Sequence, residues 1–513
     1  MLNSKESLSE KFIKRGFWLY LFSFIVGPVG YIIKIILSND LSVEEIGILY
    51  GIVSLVVLLT VYHDLGLTEA LNFFLPKYIV ENDYDKFKSA LAYALLAQIP
   101  TSIFIGSVLF FSSEYLSVHY FNAGKIAYEA QYALQIFCLF FIGMNLYSIL
   151  STVYGATQNT KYQKGTEFVR MLSILAFTVM FWYSGMGTLI NYSWTWILGL
   201  VFGILFSYNL FYRKYYIPYL KSAKIYFDKK LFFEIFSYAL WVLLAVNVGT
   251  ILSQVDMQLI IYILGPRDAG YYTNYLSIIG IPFLVVTPII GFLFPVISEL
   301  NSNGNTEKIT VIKSIFYKYF GVIALVISGF MLVFGEQIAY VLFGEKFRFS
   351  GIILQYGAIF LIFNFLLQIN FQILGGVGRV KERVKILGVG LLFNIPLNLI
   401  LIFYFRQFGM GTVGSSLAVG LSWIPIFYLS HRATSVYKAK FDYRFFLKNL
   451  FLAGILNLIM YKLVLPYFGF ADRINNFILI LFILFLYIIT IALFNQNEFR
   501  LFIKELKNLR QKQ

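Results

Sequence analysis

From residue 17 to residue 494 the chain keeps returning to runs of about 20 mainly apolar residues, each long enough to cross a ~30 Å hydrocarbon core at 1.5 Å per residue. The runs fall near 17–37, 46–66, 89–111, 131–154, 167–185, 190–212, 233–264, 271–298, 311–334, 351–374, 385–405, 411–430, 446–468 and 475–494. In lipid a spanning segment must satisfy its own backbone groups, so these fourteen spans predict an all-α polytopic membrane protein. Composition points the same way: 59% of residues are hydrophobic and 13% charged, against about 45–50% and 25% in soluble domains. The stretch "MLNSKESLSEKFIKRG" is a polar amphipathic lead, and the apolar run after it is itself long enough to span, so no cleavable signal peptide is needed.

Lysine and arginine number 41 against 26 acids, a net charge of +15. Most of them lie in alternate short loops, a pattern that places both termini and those loops in the cytoplasm. Nucleic-acid binding would need basic residues gathered on one soluble surface, and here they are dispersed, so no nucleic-acid partner is expected. The single cysteine, Cys138, excludes an intramolecular disulfide. His63, His119 and His431 are too far apart in sequence to suggest a metal-ligand spacing, and no metal or cofactor is expected.

The chain also repeats itself, the signature of a duplicated unit. "LSVEEIGILYGIVSL" (41–55) aligns with "LGPRDAGYYTNYLSI" (264–278), matching Leu41 with Leu264, Glu45 with Asp268, Gly47 with Gly270 and Ser54 with Ser277. "YGATQNTKYQ" (154–163) aligns with "LGGVGRVKER" (374–383), matching Gly155 with Gly375 and Lys161 with Lys381, and Pro76 matches Pro295. Six spans per repeat is an even number, so the copies enter the membrane in the same direction. The expected architecture is two parallel six-helix lobes around a central cavity, residues 1–212 and 233–430. A cytoplasmic linker, 213–232, joins them, and residues 431–513 add two helices and a basic tail.

"LSVEEIGILYGIVSLVVLLTVYHDLGLTEALNFFLPKY" (41–78) and "QVDMQLIIYILGPRDAGYYTNYLSI" (254–278) together resemble the polysaccharide-exporting, Wzx-type branch of the multidrug/oligosaccharidyl-lipid/polysaccharide transporter superfamily. The first carries an acidic-x-Gly turn, a D-x-G-L segment and a Pro-Lys-Tyr end; the second carries an Asp before an LG-x-x-x-x-GYY turn. The similarity runs over residues of about 10 to 435, and the order, spacing and duplication of the motifs carry it. The resemblance implies an O-antigen, capsule or exopolysaccharide flippase of a bacterial inner membrane. Such a protein moves undecaprenyl-pyrophosphate-linked oligosaccharide from the cytoplasmic to the outer leaflet by alternating access. It implies partnership with the bilayer and with other polysaccharide assembly proteins, and no enzymatic activity.

An ionisable group at membrane depth is a functional candidate by default. Lys34 and Asp256 lead, since the repeat shift brings Asp256 onto residues 33 to 37. Lys34 suits the pyrophosphate of a lipid-linked substrate, with Asp256 as the carboxylate that competes for it; the plainer reading has Lys34 snorkelling to the interface. Arg170 is a second candidate phosphate ligand, or else the partner of Glu167 one turn earlier. Lys14 and Arg15, at the inner end of the first span, suit an anionic headgroup or ordinary positive-inside anchoring.

Amides cluster at depth as well: Asn247, Gln254 and Gln258 on one span, and Asn364, Gln368 and Gln372 on another, with Asn394 and Asn398 on the next. The four-residue spacing of 364, 368 and 372 draws a polar stripe suited to sugar hydroxyls or to helix–helix adhesion. Pro28, Pro282 and Pro288 are candidate hinges, because proline removes a backbone donor inside a helix.

No G-x-x-x-x-G-K-[ST] loop is present, and "GGVGR" (375–379) is too short for a dinucleotide fingerprint. No long extramembrane loop offers a catalytic domain, which disfavours a polysaccharide polymerase or glycosyltransferase. The nearer alternative is a cation-coupled multidrug exporter of the same superfamily, for which an acidic rather than a lysine-bearing cavity is expected. A monomer is expected, the cavity being formed within one chain.

Overall fold

The computed structural model describes residues 8–291, 293–438, 442–470, 472–496 and 498, and among them every regular element is helical. In order these are α1 (Leu8–Asp40), α2 (Val43–His63), α3 (Leu67–Val80), α4 (Tyr84–Phe111), the single turn α5 (Ser113–Tyr115), α6 (Ala127–Ala156), α7 (Thr160–Tyr183), α8 (Leu189–Phe211) and α9 (Lys229–Ile263). There follow α10 (Pro266–Gly291), α11 (Leu293–Ser302), α12 (Thr306–Phe343), α13 (Arg348–Ala358), α14 (Leu361–Gly376), α15 (Val380–Arg406), α16 (Gly411–Ala433), α17 (Tyr443–Ile459) and α18 (Arg473–Phe494). Among the described residues, eleven helices are long and apolar enough to cross a membrane, or twelve if the bent pair α13 and α14 is one span. The helices α1 and α9 lie outside that number, so the expected count of fourteen is not reproduced by it.

The helix ends show the duplication directly. Asn82, Gln158 and Gly185 in the first half and Gly304, Gly378 and Gly409 in the second all take a left-handed backbone, at φ of 56, 57, 67, 68, 79 and 70°. Around Gln158 the Gln158 N–H bonds the Gly155 carbonyl and the Asn159 N–H bonds the Tyr154 carbonyl; around Gly378 the Gly378 N–H bonds Gly375 and the Arg379 N–H bonds Leu374. The same pair of bonds closes α3 (Asn82 to Ile79, Asp83 to Tyr78) and α11 (Gly304 to Asn301, Asn305 to Leu300). These are Schellman turns, which satisfy carbonyls that a helix end would otherwise orphan. The residue after each of the last two turns caps the next helix: Asp83 accepts from the Lys86 N–H at 3.0 Å and Asn305 from the Lys308 N–H at 3.3 Å.

The acidic-x-Gly motif has an equally local cause. Ser42 and Glu45 form a capping box that starts α2. A Cβ on Gly47 would overlap the Pro266 carbonyl, and one on Gly270 would overlap the Val43 carbonyl. The two matched glycines of the repeat therefore let the starts of α2 and α10 cross at backbone contact.

By contact the chain forms two compact units, Met1–Gly270 and Tyr271–Gln513. In the first, α1 lies along α7, α2 lies against α6 and α9, and α3 against α4, α6 and α9. Its core gathers Phe74, Tyr78, Tyr93 and Tyr154 with Leu231, Ile235 and Ala239 of α9. The segment after α8 is strapped to α4 rather than left loose: the Lys88 ammonium donates to the carbonyls of Leu220 and Ala223, and Asp85 and Ser89 accept from the N–H groups of Lys224 and Tyr226. In the second unit α12 packs on α13, α14, α17 and α18. The last two helices bury Phe445, Ile480, Ile483 and Tyr487 against Phe330 and Phe334 of α12.

Candidate functional site

Three of the ionisable candidates, Lys34, Arg170 and Asp256, lie within the first unit, on α1, α7 and α9. Lys34 is 3% exposed, and its ammonium sits 3.1 Å from the centroid of the Tyr50 ring on α2. A lysine that had snorkelled would leave its head in the interface, so the snorkelling alternative does not describe this residue. Asp256, on α9, is 6% exposed. The helix α2, which carries Tyr50, packs against both α1 and α9.

Arg170 lies on α7, half-buried, its guanidinium 5.6 Å from the Tyr147 ring of α6. Gly203 of α8 leaves the space that its Cβ and Cγ occupy. Its Nε is buried and has no hydrogen-bond partner. The pairing with Glu167 does not form: Glu167 instead takes the Lys164 ammonium at 2.7 Å. Lys164 and Arg170 each stand three residues from Glu167, and Arg170 lies by the Tyr147 ring instead. Gly30, one turn before Lys34, faces Met171, the neighbour of Arg170, so α1 and α7 bring the two cations onto one helix pair.

Aromatic faces stabilise both cations, by about 2 kcal/mol or more where desolvated. A charge-assisted bond to phosphate is stronger and more directional. A buried donor without an acceptor costs about 1–3 kcal/mol, and the Nε of Arg170 is such a donor.

The amides divide. Gln258 accepts from the Tyr120 hydroxyl at 2.9 Å and donates to the Gly51 carbonyl at 3.2 Å, so it fastens α9 to α2 and to the turn after α4. Asn247 bonds back to the Leu243 carbonyl on its own helix, and Gln254 donates to the Ser253 hydroxyl at 3.1 Å. In the second unit Asn364, Gln368 and Gln372 are all half-buried along α14, with Gln368 donating to Asn364 at 3.2 Å. Asn394 and Asn398 are buried, and Asn398 accepts from Ser415 at 2.6 Å, joining α15 to α16. Lys14 and Arg15 belong to α1, but their side chains lie outside the described residues.

Pro28, Pro282 and Pro288 sit inside α1 and α10, which run on past them. Away from these prolines there are a 62° bend between α13 and α14, non-helical backbone at Phe334 in α12, and the break between α2 and α3. Sequence reading passed over the third, where Asp64 precedes Leu65 and Gly66, both left-handed at φ 51 and 73°. The signal was an acid inside an apolar run followed by glycine, which reads equally as the run's end.

The family model described as "Polysaccharide biosynthesis protein" matches residues 12–301, more than half of the chain. Two uncharacterized membrane proteins of Methanocaldococcus jannaschii are each 26% identical to it. One is aligned over 499 residues, 93% of both chains, and the other over 423 residues, 78% of this chain and 92% of the relative. Among solved structures, the lipid II flippase MurJ in an inward closed conformation superposes with a TM-score of 0.73 at 16% identity, covering 94% of this chain and 99% of that one. An inward-facing multidrug resistance MATE family transporter of the MOP superfamily superposes at 0.64 and 13% identity, covering 82% and 95%. With more than half its length matched, the chain belongs to the polysaccharide biosynthesis protein family, and its helical fold is like that of MurJ and of the MATE transporter.

Proposed function

We propose that this protein is a flippase for a polyprenyl-pyrophosphate-linked oligosaccharide, the repeat unit of an O-antigen, capsule or exopolysaccharide. In this reading undecaprenyl is the carrier, the bacterial cytoplasmic membrane the location, and both termini are cytoplasmic. The duplicated halves, 1–212 and 233–430 with the linker 213–232 between them and 431–513 appended, exchange access by turns. Lys34 and Arg170 bind the pyrophosphate, and Asp256 competes with it when the carrier leaves. Lys14 and Arg15 receive the headgroup at the cytoplasmic end, and the amide stripe of Asn364, Gln368 and Gln372 meets sugar hydroxyls.

One observation carries this reading: two cations on the packed pair α1 and α7 rest on tyrosine faces, and the Nε of one has no acceptor. An exporter of organic cations would want the opposite charge there. The test is transport by purified protein in proteoliposomes. Translocation of a fluorescent undecaprenyl-pyrophosphate oligosaccharide, without accumulation of an organic cation under a proton or sodium gradient, is expected. Cation transport with no movement of the lipid-linked sugar would transfer the assignment to the multidrug exporter.

A further inference from the structure

The helix α14 carries its amides on one face. Asn364, Gln368 and Gln372 follow at four-residue steps, and Phe371, seven residues after Asn364, returns to the same side two turns on. The three amides are half-buried. Phe371 is 4% exposed, and the guanidinium of Arg383 on α15 lies 5.0 Å from the centroid of its ring. Arg383 therefore stands at the C-terminal end of the amide face. The acid beside it in sequence is engaged elsewhere: Glu382 accepts from Nε and Nη2 of Arg379 at 2.7 and 2.6 Å, and Nη1 of Arg379 donates to the Ala433 carbonyl at 2.7 Å. Among the described residues no carboxylate pairs with Arg383, which is exposed.

The duplication shows that neither feature is needed to build such a helix pair. With residue 154 aligned on 374, Asn364, Gln368 and Gln372 fall on Met144, Ser148 and Thr152 of α6, and Arg383 falls on Gln163 of α7. The amide stripe and the arginine occur together in the second repeat and are together replaced at the matched positions of the first. The turns that close the two helices, at Gln158 and Gly378, are nevertheless the same bond for bond. The arginine of the first repeat, Arg170, falls on Gly390, two turns beyond Arg383 along α15, so the two arginines are not copies of one residue.

Under the proposed function the pyrophosphate already has Lys34 and Arg170 as its cations, and the stripe on α14 meets the glycan. A guanidinium at the end of a sugar-binding face calls for negative charge on the glycan itself. Its parallel N–H groups match the two oxygens of a carboxylate, which a neutral sugar does not offer. We propose that Arg383 binds a carboxylate of the oligosaccharide, so that the substrate is an acidic glycan containing a sugar acid such as a hexuronic acid. The proposal rests on the flippase reading and names the substrate class for it.

The experiment compares two oligosaccharides that differ in one residue, a hexuronic acid or the corresponding neutral hexose. Each is used free, for equilibrium binding to the purified full-length chain in a neutral detergent, and as its undecaprenyl-pyrophosphate conjugate, for transport in phosphatidylcholine proteoliposomes. Wild type is expected to bind the acidic oligosaccharide about tenfold or more tightly, the effect of one charge-assisted contact, and to transport its conjugate with a correspondingly higher kcat/KM. Arg383→Gln should bind the two alike, and Gln372→Ala should weaken both. Arg432→Gln, which removes an exposed cation from the end of α16, should keep the preference. Equal binding of the two oligosaccharides by wild type would overturn the proposal. So would an undiminished preference in Arg383→Gln or, should that variant fail to fold, in Arg383→Lys, which keeps the charge and loses the fork. An equal fall in transport of both conjugates in Arg383→Gln would also overturn it, assigning the arginine to the pyrophosphate instead. Should wild type move neither conjugate, the flippase reading falls, and binding of the free oligosaccharides still decides what Arg383 recognises.

Discussion

The helix α6 and the pair α13 and α14 are the same element of the duplicated chain, yet α6 is one helix of 30 residues while its counterpart turns through 62°. Around them the surface turns match bond for bond. The buried charges differ too. Among the described residues the first unit buries Lys34 and Asp256, while the second buries Lys313 alone. The Lys313 ammonium is already occupied by the Thr434 carbonyl and hydroxyl at 2.9 Å each and by the Tyr437 carbonyl at 3.4 Å. It closes the end of α16, as cations near helix C-termini do. Duplication kept the helix ends, where backbone satisfaction tolerates few sequences, and let the interiors diverge: of the buried charges Lys34 stands in the first repeat and Asp256 and Lys313 in the second, which also carries the bend.

The harshest way to break this comparison is at the shared glycines. Gly47→Val and Gly270→Val each drive a side chain into a backbone carbonyl, so both should fail to yield folded protein in the membrane, by gel filtration in detergent. Survival of both would mean that the crossing of α2 and α10 is not a close one. Next come the two lysines. Lys34→Ala should lower transport about tenfold or more with little change in Tm, whereas Lys313→Ala should lower Tm, leaving buried carbonyls at about 1–3 kcal/mol each, and spare transport in the protein that remains folded. Equal transport losses would erase the distinction between the halves.

A finer comparison uses the paired turns. Gly378→Ala places a Cβ in a left-handed position and should destabilise by about 1 kcal/mol, while Gln158→Gly at the equivalent turn should stabilise by a similar or smaller amount. Opposite shifts in Tm confirm equivalence; shifts of the same sign refute it. The smallest effect concerns acid. Hydrogen bonds from Lys86 hold the Asp83 carboxyl below the usual range, whereas its counterpart cap Asn305 does not titrate. A folded-state value below the unfolded one stabilises the protein above about pH 4 and is lost as pH falls through the folded value. Asp83→Asn should therefore flatten the Tm profile slightly below pH 4, and Asn305→Asp should steepen it.

The helical class, the duplication and the burial of Lys34 and Asp256 were legible because each rests on local sequence: apolar run length, matched turn residues, and a charge inside a run. What was not legible depends on which helix meets which. No spacing rule puts α9 beside α2 and α3, sends Arg170 to Tyr147 in place of Glu167, or assigns Gln258 to fastening helices. The 62° turn falls at residues 359–360, where the sequence "AIFL" has neither proline nor glycine to mark it.

In the proposed mechanism the cation at Lys34 captures the anionic head of a lipid-linked sugar. The direct measurement is the rate of translocation of fluorescent undecaprenyl-pyrophosphate oligosaccharide in proteoliposomes containing wild type, Lys34→Arg or Lys34→Ala at equal insertion. The account predicts transport by wild type, partial retention in Lys34→Arg and a fall of about tenfold or more in Lys34→Ala. Equal rates in wild type and Lys34→Ala would contradict it.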